Sequence, residues 1–227
     1  MQPFRPNTIL TKLKTAYPQA EDLIEILKDC REEDRLTISR LWMSEGIPFA
    51  FKELPCLYEE VRVWLSNRLD IDPKEITIIG SGRIGESLTP GENMGRPFGA
   101  HSDLDLVAIS NALFEQMKQL FFKWGEAYEA GQIKPKNKRE TRFWNENLRV
   151  CDDTIQRGFI DANKIPNRGS YSLAKKIAQS LFLLPGKIKV SEGGFEIRTT
   201  SLRVYRDWNS FMRQVSLNLK IVAESVR

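Results

Sequence analysis

Two carboxylates and a glycine–serine pair are the residues of this chain best suited to chemistry. Asp103 and Asp105 flank Leu104 and lead into an apolar run, Leu106-Val107-Ala108-Ile109. Side chains at i and i+2 of a strand share a face, so both carboxylates are expected on one side of a sheet, about 6–7 Å apart. Like charges at that distance repel, and a cation between them relieves the repulsion. Mg²⁺ is commonly held by one or two carboxylates together with waters and substrate phosphates. Mg²⁺ or Mn²⁺ is therefore the expected ion. The plainer reading of the same triplet is a solvated strand end, where acids are common.

Upstream, Ile76-Thr77-Ile78-Ile79 reads as a short buried strand that stops abruptly at Gly80-Ser81, with Gly82 and Gly85 close behind. Glycine lets a backbone turn sharply and approach a phosphate closely, and serine adds a hydroxyl donor. If a helical turn follows, its N–H groups favour an anion. Arg83 is expected to add a fixed cation. Lys175, with Lys176 on a helix after Gly169-Ser170-Tyr171-Ser172, is a further residue able to meet a triphosphate. A plain turn and a solvated helix face are the ordinary alternatives. His101, the single histidine, adjoins Ser102-Asp103 and reads as a polar loop residue near the same place.

Taken together, Gly80-Ser81-Gly82-Arg83-Ile84-Gly85-Glu86-Ser87 and then Ser102-Asp103-Leu104-Asp105-Leu106 resemble the polymerase-beta-like nucleotidyltransferase superfamily, close to its minimal, antitoxin-type members. The resemblance is confined to residues 76–109. It implies transfer of NMP from ATP or another NTP to a hydroxyl acceptor, with Gly80, Ser81, Arg83 and Ser87 on the nucleotide. Asp103 and Asp105 would be the metal-binding catalytic residues. The acceptor would be a protein side chain or an RNA end, in a bacterial toxin–antitoxin or anti-phage setting. Residues 88–101 form a longer loop than in the minimal members and are expected to cover the nucleotide. The family carries a third carboxylate on a later strand; Glu196, Asp161 and no acid at all remain open. A missing acid would favour a catalytically degenerate module that binds a nucleotide or a partner. A synthase of a nucleotide second messenger is a further variant, for which the chain is short.

The elements that must position these residues follow from periodicity. Residues 20–30, 35–43 and 55–69 read as helices, Pro55 being tolerated at a first helical turn. Residues 104–109 read as a strand and 111–130 as a helix. Residues 134–149 are basic, with Lys134, Lys136, Lys138, Arg139, Arg142 and Arg149 around Phe143 and Trp144. That mixture suits single-stranded nucleic acid or a base, or else a solvated loop or short helix whose aromatics anchor it. A helix over 172–184 is expected to end at Pro185-Gly186, and residues 187–190 and 195–205 read as a hairpin about Glu192-Gly193-Gly194. An amphipathic helix over 207–222 closes the chain. The fold class is α/β (α+β), a small mixed sheet of the polymerase-beta nucleotidyltransferase type flanked by N- and C-terminal helices. Residues 1–70 are expected to form a helical region packed on the core, and 71–227 a nucleotidyltransferase-like domain with a helical, basic insertion at about 111–186.

The bulk properties agree. With 227 residues, 41% hydrophobic and 28% charged, the chain is an ordinary globular sequence. Its net charge of +4 suits a handler of phosphates without demanding nucleic acid. Cys30, Cys56 and Cys151 are far apart and form no CxxC pair, which argues against disulfides and zinc. No run of about eighteen apolar residues exists, so no membrane span is expected. Residues 1–6 lack the apolar run of a signal peptide, and the cytoplasm is the expected compartment.

Overall fold

The computed structural model describes residues 3–5 and 7–226. The signal-peptide reading falls partly on residues 1, 2 and 6, which lie outside the described residues. Four strands form one mixed sheet: β1 (Ile76–Ile79), β2 (Asp103–Ile109), β3 (Phe159–Asp161) and β4 (Thr199–Tyr205), in the order β1-β2-β4-β3. The α+β class expected from the sequence is the observed one. β2 runs antiparallel to β1 and parallel to β4, while β3 and β4 are antiparallel.

Alternation along β2 sorts the helices. Leu104, Leu106 and Ala108 point to one face, where α3 (Pro55–Leu69), α5 (Asn111–Glu129), α6 (Lys138–Gln156) and α7 (Ser172–Val190) build the larger core. Val107 and Ile109 point to the other, against α1 (Ala20–Asp29), α2 (Glu32–Leu41) and α8 (Trp208–Ser225). The N-terminal 70 residues therefore divide, α1 and α2 covering one face and α3 the other. No helix among the described residues is long and apolar enough to cross a membrane.

Three expectations about local structure are corrected. Residues 134–149, read as a loop or short helix, divide: 134–137 are loop, and from Lys138 the chain enters the long helix α6, where the Asn137 side chain accepts from the Glu140 N–H at 2.9 Å. Its buried residues, Trp144, Asn147, Cys151 and Ile155, recur at helical spacing. Second, α7 does not stop at Pro185. Proline removes the bond its N–H would make to the carbonyl four residues back, here Leu181. That freed carbonyl accepts instead from the Thr200 hydroxyl, at 2.7 Å. Buried Leu184 and Ile188 carry the helix on past the proline. Third, residues 187–190 pair with nothing as a strand. Glu192-Gly193-Gly194 is the exit from α7, with the Gly194 N–H on the Ser191 carbonyl at 2.9 Å. A Cβ at Gly194 would lie 1.9 Å from the Ile188 carbonyl oxygen, so only glycine passes there. β3, which the sequence did not announce, closes the far edge of the sheet.

Candidate functional site

β1 delivers the chain to the site, and a single glycine turns it. Ile79 lies opposite Asp105 in the antiparallel register, so the next residue, Gly80, must leave the sheet beside that carboxylate. Gly80 has φ +68° and ψ −152°, a conformation essentially reserved for glycine. A Cβ there would sit 3.3 Å from Asp105 Oδ2. Ser81 then opens α4 (Ser81–Ile84), a single helical turn. Asp103 and Asp105, with the same parity as Val107, occupy the face covered by α1, α2 and α8, and both are half-buried.

Ser81, Asp103 and Asp105 line one polar cleft of about 220 Å³, together with Ser87, Thr89, Asn93, Arg96, His101, Ser102 and Arg198. The 88–101 loop supplies several of these because it folds back on the motif. The Ser87 N–H donates to the Arg96 carbonyl and the Gly95 N–H to the Ser87 carbonyl, both at 2.9 Å, and Phe98 N–H reaches the Gly85 carbonyl at 2.7 Å. The loop thus forms a wall of the cleft. His101 is held by its Nε2 at 3.1 Å from the Pro97 carbonyl. Glu86, inside the motif, accepts from the Ala20 N–H at 2.7 Å and ties the start of α1 to this loop.

The carboxylates have partners from β4 and its approach. Arg198 donates to Asp103 through Nε and Nη2, at 2.8 and 2.7 Å. That bidentate contact raises the Arg198 pKa, first through the hydrogen bond and then through the charge of Asp103. Ser201, opposite Asp105 in the parallel register, donates to Asp105 Oδ1 at 2.7 Å. Neither Arg198 nor Ser201 stood out in the sequence. The signal that finds them is the β2–β4 pairing, which no local pattern contains.

Several expected residues lie elsewhere. Arg83 is 1% exposed and faces away from the cleft. A helix turns about 100° per residue, so Arg83 falls about 200° around α4 from Ser81. Its Nη1 donates to the Gly46 carbonyl at 3.0 Å, and Nε and Nη2 have no partner among the described residues. Burial pulls the pKa of this guanidinium down. Lys175 is exposed on α7, which belongs to the opposite face of the sheet. Of the candidate third carboxylates, Glu196 is exposed and paired with Lys189 at 2.7 Å. Asp161 is on β3, separated from β2 by β4, and is clamped by Arg203 Nε at 2.6 Å. The β4 position beside Asp105 is Ser201, not an acid. No group of three or more His, Cys, Asp or Glu side chains able to hold a metal occurs among the described residues.

In α6, Trp144 is buried and Arg168 lies over its ring at 4.8 Å, while Phe143 stays half exposed under Arg139. This helix belongs to the face away from Asp103 and Asp105. No family model, curated protein or solved structure matches this chain.

Proposed function

We propose that the cleft binds a nucleoside triphosphate with a divalent cation and transfers NMP to a hydroxyl acceptor, a protein side chain or an RNA end, in the cytoplasm. The observation that carries this reading is the Gly80-Ser81 bend set directly against Asp105, with Asp103 on the same strand face and all but the glycine lining one cleft. The donor set fits Mg²⁺ or Mn²⁺: two carboxylates with serine hydroxyls beside them are hard oxygen ligands, which such ions prefer. The Arg198 guanidinium occupies both oxygens of Asp103, so a cation there would have to displace it. When bound, the cation neutralises phosphate charge and polarises the reacting phosphoryl group.

The protein's own contribution is position and charge. The bare backbone of Gly80 leaves room for a phosphate beside Asp105. The Ser81 hydroxyl donates to a phosphate oxygen. Arg96 and Arg198 add positive charge to the lining of the cleft, Arg198 by exchanging its partner from Asp103 to the triphosphate. The acceptor oxygen attacks the α-phosphorus, the bond to the bridging oxygen breaks, pyrophosphate leaves, and the hydroxyl proton passes to solvent. ATP is the first substrate to test.

A second reading, a nucleotide-binding module without turnover, is favoured by one feature: Ser201 stands beside Asp105 where a third carboxylate would serve. Incubation with each α-labelled NTP plus Mg²⁺ or Mn²⁺ separates the two. Labelled protein, RNA or small product, lost in Asp105→Ala, supports transfer. Metal-dependent binding without product supports the module. Neither binding nor product removes both readings.

A further inference from the structure

A second cleft meets the polar one at the glycine–serine bend. It has a volume of about 380 Å³ and shares Ser81, Ser87, Thr89 and Asp105 with its neighbour. Beyond that shared wall its character changes. Ile79, Leu88 and Pro90 line one side, and Leu219, Ile221 and Val222 of α8 line the other. The polar cleft, at about 220 Å³, lies below the roughly 300 Å³ at which pockets for small organic molecules typically begin. The apolar one passes that limit.

We propose that this second cleft seats the nucleoside: base and sugar lie against α8 while the phosphates cross the shared wall toward Asp103 and Asp105. This assignment rests on the nucleotide-binding reading above and adds to it the part of the substrate that α8 recognises. An apolar slot with few polar groups is what a flat heteroaromatic base requires, the polar groups serving to fix its orientation.

Asn218 is the polar side chain that α8 offers here, and its orientation can be deduced. Arg157 Nη1 donates to Gln214 Oε1 at 3.3 Å, and Gln214 Nε2 donates to Asn218 Oδ1 at 2.9 Å. Arginine has donors only. The Gln214 carbonyl must therefore face Arg157, its amide must face the Asn218 carbonyl, and the Asn218 NH₂ is left as the donor. It suits a ring nitrogen or carbonyl oxygen on the edge of a base.

The test compares nucleotides with tripolyphosphate, which carries the phosphates alone. Affinities of ATP, GTP, CTP, UTP and tripolyphosphate are measured by calorimetry with Mn²⁺ present. Wild-type protein should hold at least one nucleotide about tenfold or more tighter than tripolyphosphate. Ile221→Trp, at a rim position 50% exposed, should fill the slot without disturbing the core. Asn218→Leu should remove the donor. Both variants should lose most of the nucleotide advantage and keep wild-type affinity for tripolyphosphate. Equal affinity of nucleotides and tripolyphosphate in the wild type overturns the slot and leaves the phosphate site standing. A nucleotide advantage untouched in both variants does the same, placing the base elsewhere. Loss of both ligands in both variants overturns the division into two compartments. Failure of every ligand to bind the wild type removes the nucleotide-binding reading and the slot with it.

Discussion

Two aspartates on the same face of the sheet each hold an arginine by two hydrogen bonds, and the settings of the two pairs differ. At the β3–β4 edge, Asp161 binds Arg203 at 2.6 and 3.2 Å, with side chains 28% and 29% exposed. The Arg203 guanidinium also lies 4.7 Å from the centre of the Phe159 ring. Burial pulls the pKa of Arg203 down, and the hydrogen bond and charge of Asp161, with a smaller part from Tyr205, more than reverse this, so the net shift is upward. At the mouth of the cleft, Asp103 binds Arg198 at 2.8 and 2.7 Å, but the arginine is 67% exposed. The inner pair is a brace across adjacent strands: breaking it strands a half-buried charge. The outer pair is a latch: water replaces either partner at little cost, because exposed ion pairs contribute little to stability. Similar hydrogen bonds thus have different uses, and burial decides which.

The comparison breaks most sharply at the cleft. Asp105→Ala should reduce the proposed nucleotidyl transfer by at least about a hundredfold, the scale of losing an electrostatic contributor to a transition state. Its melting temperature should fall only slightly, because a half-buried carboxylate gives up a single hydrogen bond from Ser201. Full turnover in this variant would remove Asp105 from the reaction. At the brace the outcome inverts. Arg203→Met should cost about 2 kcal/mol in denaturant unfolding, less than a fully buried pair because both groups keep some water. Nucleotide affinity should be unchanged, and a drop in affinity without a drop in stability would show that the brace belongs to the site.

Arg198→Ala sharpens the idea of a latch. Mn²⁺ binding without nucleotide, followed by electron paramagnetic resonance, should strengthen about three- to tenfold as Asp103 is freed. Triphosphate binding in the presence of metal should weaken, and thermal unfolding should not move. Unchanged Mn²⁺ affinity would mean that the guanidinium does not compete for that carboxylate.

The smallest effect expected is at Asp207, a third aspartate beside an arginine. It caps α8 by accepting from the Ser210 N–H at 2.7 Å. Its hydrogen bond from Arg206 comes first, ahead of the opposing effect of burial and the help of Ser210, in lowering its pKa from 3.8 to about 2. Because the folded value is depressed, its stabilisation is complete above 3.8 and fades as pH falls from 3.8 toward 2. Asp207→Ala should cost about 1 kcal/mol at neutral pH, the usual worth of such a cap. Asp207→Asn should keep much of the cap and flatten that part of the acid-unfolding profile. An unchanged profile would place the acid sensitivity elsewhere.

Much of the frame was legible in the sequence because its causes are local. The apolar stripes of α1, α3, α5 and α8 recur every three to four residues. β1 ends where Gly80 permits a turn that other residues resist. β2 alternates so that Asp103 and Asp105 share a side. What was not legible depends on partners far along the chain. Pro185 looked like a helix end because proline withholds an N–H. The helix continues because Thr200, nineteen residues from Leu181, takes the carbonyl that proline leaves free. Arg83 looked like a cation for phosphate, and the helical turn sends it inward instead.

The amino-acid sequence by itself determined the bend, the spacing of the two carboxylates and the amphipathic helices, since dihedral preference and side-chain period act within a few residues. Only the tertiary structure decided what meets those carboxylates. Arg198 and Ser201 reach them across 95 and 96 residues of chain, because β4 lies parallel beside β2. Strand pairing is set by the packing of whole helices on both faces of the sheet, and no short stretch of residues encodes it.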